Sequence, residues 1–309
     1  MKIAIIGSGA MGSLIGGLLK ESGEYVYLYD IWKEHIDEIR KHGLKIVGLG
    51  GERFVHIDAT DNIEEIGAID LIVIFVKSYN TEVAAKEAKM ITSENTIVLT
   101  LQNGLGNIDI LQKILGRENV IAGTTAQGAT LLAPGVVKYT GYGDVFIGEL
   151  DGKKTERVEK VIHIFNKAKI NTKFTDNVEG LIWTKLLVNL AINAPATILR
   201  IKNGELVKHN CSKSLMKQII DESLEIVNKK EIKLVYPDIL KEIYNIANKT
   251  SDNINSMFQD ILKGKMTEID FLNGAIVKEG QKLGVQTPVN QAITNIIKCI
   301  EETKDSYIG

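Results

Sequence analysis

The 309-residue sequence predicts an α/β protein, an N-terminal doubly wound parallel sheet followed by an all-helical half. Three observations predict it. Through the first half, short apolar runs alternate with helix-period segments, as parallel strands joined by crossover helices require. Near the start a β-type run, Lys2 to Ile6, passes through three glycines into a helical pattern at Leu14, Ile15, Leu18 and Leu19. Beyond about residue 176 nearly every segment has helical spacing. A chain this long exceeds one typical core, so two domains are expected, 1-175 and 176-309.

Composition removes several classes of function. Lys and Arg number 37 against 39 Asp and Glu, a net charge of -2, which gives no reason to expect nucleic acid or an anionic membrane as partner. No run approaches the roughly 18 apolar residues of a membrane span. The apolar start of MKIAIIGSGAMG is too brief for an export signal and breaks into glycines, so a cytoplasmic location is expected. Cys211 and Cys299 lie far apart and the five histidines are scattered, so neither a disulfide framework nor a metal site is expected.

Taken in order, Lys2 to Ile6 is a strand, and Gly7-Ser8-Gly9-Ala10-Met11-Gly12 follows at once as G-x-G-x-x-G before a helix. This order places a pyrophosphate on a helix N-terminus. Gly7 permits the tight turn, Gly9 lets the backbone approach phosphate, and Gly12 lets helix and strand pack closely. The next strand, Tyr25 to Tyr29, ends at Asp30, where a carboxylate accepts hydrogen bonds from the adenosine ribose and repels a 2′-phosphate. Asp30 therefore favours NADH, while Lys33 and Lys77 keep NADPH open. The bland alternative for Asp30 is an N-cap for the segment beginning at Trp32.

Lys45 to Ile57 reads as a glycine-rich hairpin insert, and Asp70 to Val76 as a buried parallel strand. Lys77 and a helix from Thr81 to Met90 come next, then a strand from Thr96 to Leu101 that ends in Gln102-Asn103-Gly104-Leu105-Gly106. Ligands of such sheets lie beyond the carboxyl ends of the strands, where Gly7, Asp30, Lys77 and Asn103 all fall. Asn103-Gly104 also suits a plain turn. Further strands are expected at Val120 to Thr125, Ala126 to Leu132 and Val136 to Tyr139, with Val145 to Ile147 antiparallel. A helix from Thr155 to Lys167 and a strand from Thr172 to Phe174 complete this half.

Val178 to Asn193 is apolar around almost its whole axis and should be a buried helix. Lys185, Asn189 and Asn193 interrupt it at intervals of four, so they form one stripe. An ammonium in such a helix is costly to desolvate and loses its proton more readily than in water. The stripe reads as a catalytic acid with two substrate-holding amides, or as a snorkelling lysine with two capping amides. Ala194-Pro195 is expected to break or kink this helix and leave Asn193 at its end. Helices are then expected over Leu215 to Lys230 and from Pro237 to Thr250. Ser251 to Leu262 should set Asn253 and Ser256 one turn apart on a common face. A long helix through Leu283 and a closing helix after Pro288 follow, and Glu301 to Gly309 should fray.

The glycine fingerprint, the lysine-asparagine stripe and the block SMFQDILKGKMTEIDFLNG together closely resemble the ketopantoate reductase family, nearly end to end. The resemblance implies a Rossmann-type domain followed by an all-helical domain of the 6-phosphogluconate dehydrogenase C-terminal type. It implies reduction of ketopantoate to D-pantoate on the route to pantothenate and coenzyme A. By motif, Lys185 resembles the proton donor, and Asn189, Asn193, Asn203, Asn253 and Ser256 resemble substrate contacts. Asn103 resembles a contact to both cofactor and substrate. Glu268 resembles the glutamate that reaches the nicotinamide ribose or the substrate hydroxyl, and Ala129 offers the cofactor a backbone contact. Members using NADPH tend to carry arginine near the position of Asp30, so NADH is favoured here. The small-molecule partner is a 2-oxo acid, and the helical half has apolar surface enough for a homodimer. The alternatives are a reductase of another 2-oxo acid, or a nucleotide-sensing protein without catalysis.

Overall fold

Runs rich in Val, Ile and Leu become strands because β-branched side chains pack well on a pleated, buried surface. The computed structural model describes residues 1–306. The first unit comprises residues 1–102 and 107–178, and the second comprises 103–106 with 179–309. In chain order the first contains β1 (Lys2–Ile6), α1 (Ala10–Glu21), β2 (Tyr25–Tyr29), α2 (Lys33–His42), β3 (Leu44–Gly48), β4 (Arg53–Val55), β5 (Asp58–Thr60) and β6 (Leu71–Ile74). It continues with α3 (Thr81–Ala88), β7 (Ile97–Thr100), α4 (Asn107–Leu115), β8 (Val120–Thr125), β9 (Gly128–Ala133), β10 (Val136–Gly141), β11 (Val145–Gly148), α5 (Glu156–Lys167) and β12 (Thr172–Phe174).

The main sheet is eight-stranded in the order β12-β11-β8-β7-β6-β1-β2-β5. Neighbours from β8 to β5 pair in parallel, and β11 pairs antiparallel with β8, as its sequence predicts. The chain runs outward from β1 to β2 on one side and later from β6 to β7 on the other. The order therefore reverses at β1/β6, the switch point where doubly wound sheets open a ligand crevice. Alternate residues of β1 face opposite layers. Ile3 and Ile5 pack with Leu14, Ile15, Ile36 and Phe165 on one face, while Ala4 and Ile6 pack with Ala84, Ala85 and Leu111 on the other. The expected hairpin of β3 and β4 joins β10 and β9 in a separate four-stranded sheet, order β4-β3-β10-β9.

The second unit is helical: α6 (Val178–Leu199, its first residue counted with the first unit), α7 (Asn210–Lys229), α8 (Ile239–Lys249), α9 (Ser256–Leu262), α10 (Asn273–Leu283) and α11 (Pro288–Glu302). α6 is its core. Trp183, Leu186, Leu187, Leu190 and Ala191 are buried and pack among Met216, Ile219, Ile243, Ile276 and Ile297.

Three expectations are corrected here. Pro195 does not end α6, which continues to Leu199, so Asn193 lies inside the helix. Proline removes one helical hydrogen bond, but Ala194 and Ala196 are fully buried beside it. Packing of this kind decides helix stability more than local propensity does. Separately, the Asn193 carbonyl accepts from Thr197 Oγ1 at 2.7 Å and from Asn255 Nδ2 at 3.4 Å. Secondly, α6 is long and apolar enough to cross a bilayer by length and composition, contrary to the sequence count, although 67% of that window is buried within the fold. Thirdly, Glu301 and Glu302 finish α11 rather than fray, and Lys304–Ser306 form a 3-10 turn. Residues 307–309 lie outside the described residues.

Phe165 is fully buried beneath the sheet. Phe165→Ala should cost about 3–5 kcal/mol in urea unfolding of the first unit. A loss below about 1 kcal/mol would mean that α5 does not close this layer.

Candidate active site

The glycine turn after β1 shows which of its glycines the protein itself needs. Gly7 has φ +93, and a Cβ there would lie 2.6 Å from the Val76 nitrogen. A Cβ on Gly12 would lie 2.1 Å from the Gly7 carbonyl oxygen. Gly9 is different, since a Cβ there would meet nothing within 4 Å. Its bareness serves no internal packing and leaves the start of α1 open to a group from outside the chain. The first-turn N–H groups of Ala10, Met11 and Gly12 have no acceptor within the helix. Gly9, as N-cap, supplies no side-chain acceptor either. Ser8 is wholly buried, and its Oγ has no hydrogen-bond partner among the described residues. Open space, aligned donors and an orphaned hydroxyl fit a dinucleotide pyrophosphate.

Asp30 follows β2, and its Oδ1 accepts from the Trp32 N–H at 3.1 Å. It does not cap α2, whose N-cap is Trp32, so the bland reading is replaced by a local turn. Two further acids stand near. The Tyr29 hydroxyl is held far above its ordinary range by burial, then by the Glu87, Asp30 and Asp61 carboxylates. Lys33 lies 3.8 Å from Asp61. Lys77 is half-buried after β6 and opens a 3-10 turn. Ala129 sits in β9 opposite Tyr139, and β9 packs against α1.

In the second unit Lys185, Asn189 and Asn193 share α6, as their spacing predicts. Burial lowers the Lys185 pKa from its ordinary value to about 8, and the nearby Glu268 carboxylate opposes that shift. Glu268 is itself buried. It stands at the head of the turn Ile269–Phe271, where the Phe271 N–H donates to the Glu268 carbonyl at 3.0 Å. The Asn103–Gly106 segment is anchored to the same turn, because the Leu105 N–H donates to the Phe271 carbonyl at 3.0 Å. Gly104, at φ +82, would place a Cβ 2.5 Å from that carbonyl oxygen, so only glycine fits.

Asn253 departs from its expected place. α9 begins at Ser256 with Asn255 as N-cap, so Asn253 lies in the preceding loop and is not on a helical face with Ser256. The segment after Asn248 turns back instead: the Asn203 N–H donates to the Asn253 carbonyl at 3.1 Å. Asn255 caps α9 through Phe258 N at 3.0 Å and reaches the Asn193 carbonyl, bringing Ser256 beside the stripe. Asn203 is buried; its Nδ2 donates to Thr250 Oγ1 at 3.1 Å, and its Oδ1 has no partner among the described residues. Within this unit Lys185, Asn189 and Asn193 share α6, Glu268 acts electrostatically on Lys185, the Asn103–Gly106 segment is tied to the turn that Glu268 heads, and Asn203 is bonded to Asn253.

Asn255, Ser13 and His35 escape the sequence reading. An asparagine just before a helical run is a cap signal, and polar residues at buried helix positions, Ser13 in α1 and His35 in α2, are a signal of their own.

Residues 3–152 match the family described as Ketopantoate reductase PanE/ApbA, and residues 177–301 match Ketopantoate reductase PanE/ApbA C terminal. The chain is 39% identical over 302 residues to the 2-dehydropantoate 2-reductase of Pyrococcus horikoshii, covering 97% of this chain and 98% of that one. Among solved structures it resembles D-mandelate dehydrogenase in a ternary structure with NADH and anilino(oxo)acetate. That likeness has a TM-score of 0.94 and 33% identity over 99% of each chain. It also resembles the PanE/ApbA family ketopantoate reductase from Ralstonia eutropha JMP134, with a TM-score of 0.92 and 31% identity over 99% of this chain and 100% of that one.

The glycines allow a direct contrast. Gly12→Ala should destabilise the first unit by about 1–3 kcal/mol or more through overpacking. Gly9→Ala should leave thermal unfolding nearly unchanged yet weaken NADH at least about tenfold by fluorescence titration, a loss of about 1.4 kcal/mol. Equal stability losses in both variants would contradict an externally directed role for Gly9.

Proposed function

The chain belongs to the ketopantoate reductase PanE/ApbA family, and we propose that it reduces 2-dehydropantoate to D-pantoate with NADH, on the route to pantothenate. One observation carries this reading: Lys185 shares a largely buried helix with Asn189 and Asn193, and the buried Glu268 carboxylate acts on it. When bound, the reduced nicotinamide supplies the hydride that C2 of the oxo acid accepts. The chain's own part is electrostatic and protonic. Lys185 Nζ stabilises the charge that builds on the C2 oxygen and then gives that oxygen a proton. A pKa near 8 leaves Lys185 mostly charged at neutral pH and makes it a stronger acid than an exposed lysine. Glu268 favours the charged form, which readies the group for the next turnover.

Gly7, Ser8, Gly9, Ala10, Met11 and Gly12 hold the pyrophosphate, and Lys77, Ala129 and Asn103 add further cofactor contacts. The acids Asp30, Asp61 and Glu87 around Tyr29 make a poor host for a 2′-phosphate, which supports NADH. The likeness to a structure containing NADH supports the same choice. Asn189, Asn193, Asn253 and Ser256 offer neutral hydrogen bonds that orient the carboxylate and hydroxyl of the substrate.

Asn203 bears on which oxo acid is taken. The Thr250 hydroxyl donates its proton to the Ile246 carbonyl at 2.8 Å, so toward Asn203 it can only accept. Asn203 must therefore present Nδ2 to it, and the orphaned atom is an acceptor. A buried acceptor without a donor costs about 1–3 kcal/mol, and a substrate hydroxyl supplies the missing donor. Ketopantoate carries such a hydroxyl at C4. A second reading, reduction of an aryl 2-oxo acid, is favoured by the likeness to D-mandelate dehydrogenase with anilino(oxo)acetate.

Lys185→Ala should lower kcat about a hundred- to ten-thousand-fold while leaving NADH affinity unchanged; unaltered turnover would remove Lys185 from the chemistry. Because the acid form is the active one, kcat/KM should fall as pH rises through about 8. A profile flat from pH 7 to about 9.5 would contradict this assignment. Ketopantoate should exceed its des-hydroxy analogue, 3,3-dimethyl-2-oxobutanoate, in kcat/KM by about a hundredfold or more, and Asn203→Ala should narrow the gap. Preference for phenylglyoxylate over ketopantoate would decide for the second reading.

A further inference from the structure

His35 is fully buried at the second residue layer behind the glycine turn, and nothing in the proposed reaction uses it. Both ring nitrogens are engaged. The Gly135 N–H donates to Nδ1 at 3.0 Å, so Nδ1 accepts and the neutral ring carries its proton on Nε2. Nε2 lies 3.1 Å from Ser13 Oγ, which is also fully buried, and Ser13 Oγ donates to the Ser8 carbonyl at 2.6 Å. Each group in the line Gly135, His35, Ser13, Ser8 therefore has one assigned direction. Burial favours the uncharged ring that this pattern needs. The ring plane is fixed too: Trp32 stacks on it, with centroids 5.2 Å apart and planes 11° apart, while the Trp32 N–H binds Asp30.

The consequence falls on one peptide. The Ser8–Gly9 bond is trans, since the chain has no cis peptide. In a trans peptide the carbonyl and the next N–H point in opposite directions. Drawing the Ser8 carbonyl inward onto Ser13 therefore turns the Gly9 N–H outward, at the one glycine of the turn beside which a Cβ would meet nothing. We propose that His35 and Ser13 are positioning residues for the dinucleotide: they orient the Ser8–Gly9 peptide so that the Gly9 N–H faces a cofactor phosphate. This rests on the reading that the glycine turn binds NADH. Neither residue touches the cofactor; both act through the backbone of the turn.

The arms of the imidazole can be separated by substitution. Gln at position 35 places its amide nitrogen near Nε2 and keeps the donor to Ser13. Asn is shorter and keeps only the acceptor for Gly135. NADH titration by fluorescence, with thermal unfolding of each protein alongside, should leave His35→Gln within about threefold of wild type and weaken His35→Asn about tenfold. Ser13→Ala should also lose about tenfold with little change in unfolding temperature, because alanine suits the helix interior. A merely structural role would make affinity follow unfolding temperature across the three variants. Equal NADH affinity of His35→Gln and His35→Asn, or wild-type affinity of Ser13→Ala, overturns the proposal. Should either His35 variant fail to fold, Ser13→Ala decides alone. Wild-type protein that binds neither NADH nor NADPH overturns the cofactor reading, and this proposal with it; tight wild-type binding with unaffected variants overturns the relay only.

Discussion

An ammonium inside an apolar helix must be either neutralised or paired, and the second unit is built around that constraint. α6 is buried on nearly every side, which is what makes Lys185 acidic. Left there alone the charge would be expelled, at a cost of several kcal/mol in a real protein interior. Glu268 holds it, and Glu268 is itself fixed at the head of a 3-10 turn whose last residue anchors Asn103–Gly106. Burial, the larger effect, lowers the Lys185 pKa to about 8, and the Glu268 carboxylate opposes it, the setting the proposed acid role needs.

In the proposed reading the first unit meets a complementary problem, the binding of a negatively charged pyrophosphate. Its answer is backbone: bare peptide at Gly9, unsatisfied N–H groups at the start of α1, and a turn braced from behind by buried side chains. Gly7 and Gly12 are constrained by contacts within the protein and Gly9 by contacts it lacks, so one short motif contains two different physical requirements. The acids Asp30, Asp61 and Glu87 gather around Tyr29 at the end of β2.

The strand-helix alternation, the glycine turn after β1 and the stripe on α6 are legible because each follows from short-range pattern, whereas the strand order with its switch at β1/β6 is not. The failures share a cause, since each depends on partners distant in sequence. Pro195 is a local helix breaker, but the packing of Ala194 and Ala196 in the core overrides it. Ser256 was read on a helix with Asn253, yet the cap is Asn255, whose amide is fixed by a carbonyl 62 positions away in sequence. His35 looked like one scattered histidine because its partners sit on α1 and on the turn at Gly135.

The path of the chain between its units has an evolutionary corollary. Residues 103–106 pack with the second unit although the sequence on both sides belongs to the first, so the polypeptide passes between them three times. A gene cut once near position 178 would separate the helical unit from the loop whose Gly104 presses on Phe271. Neither half is thus a self-sufficient cassette, and recombination that exchanges helical domains between such enzymes must carry this four-residue loop or refit it.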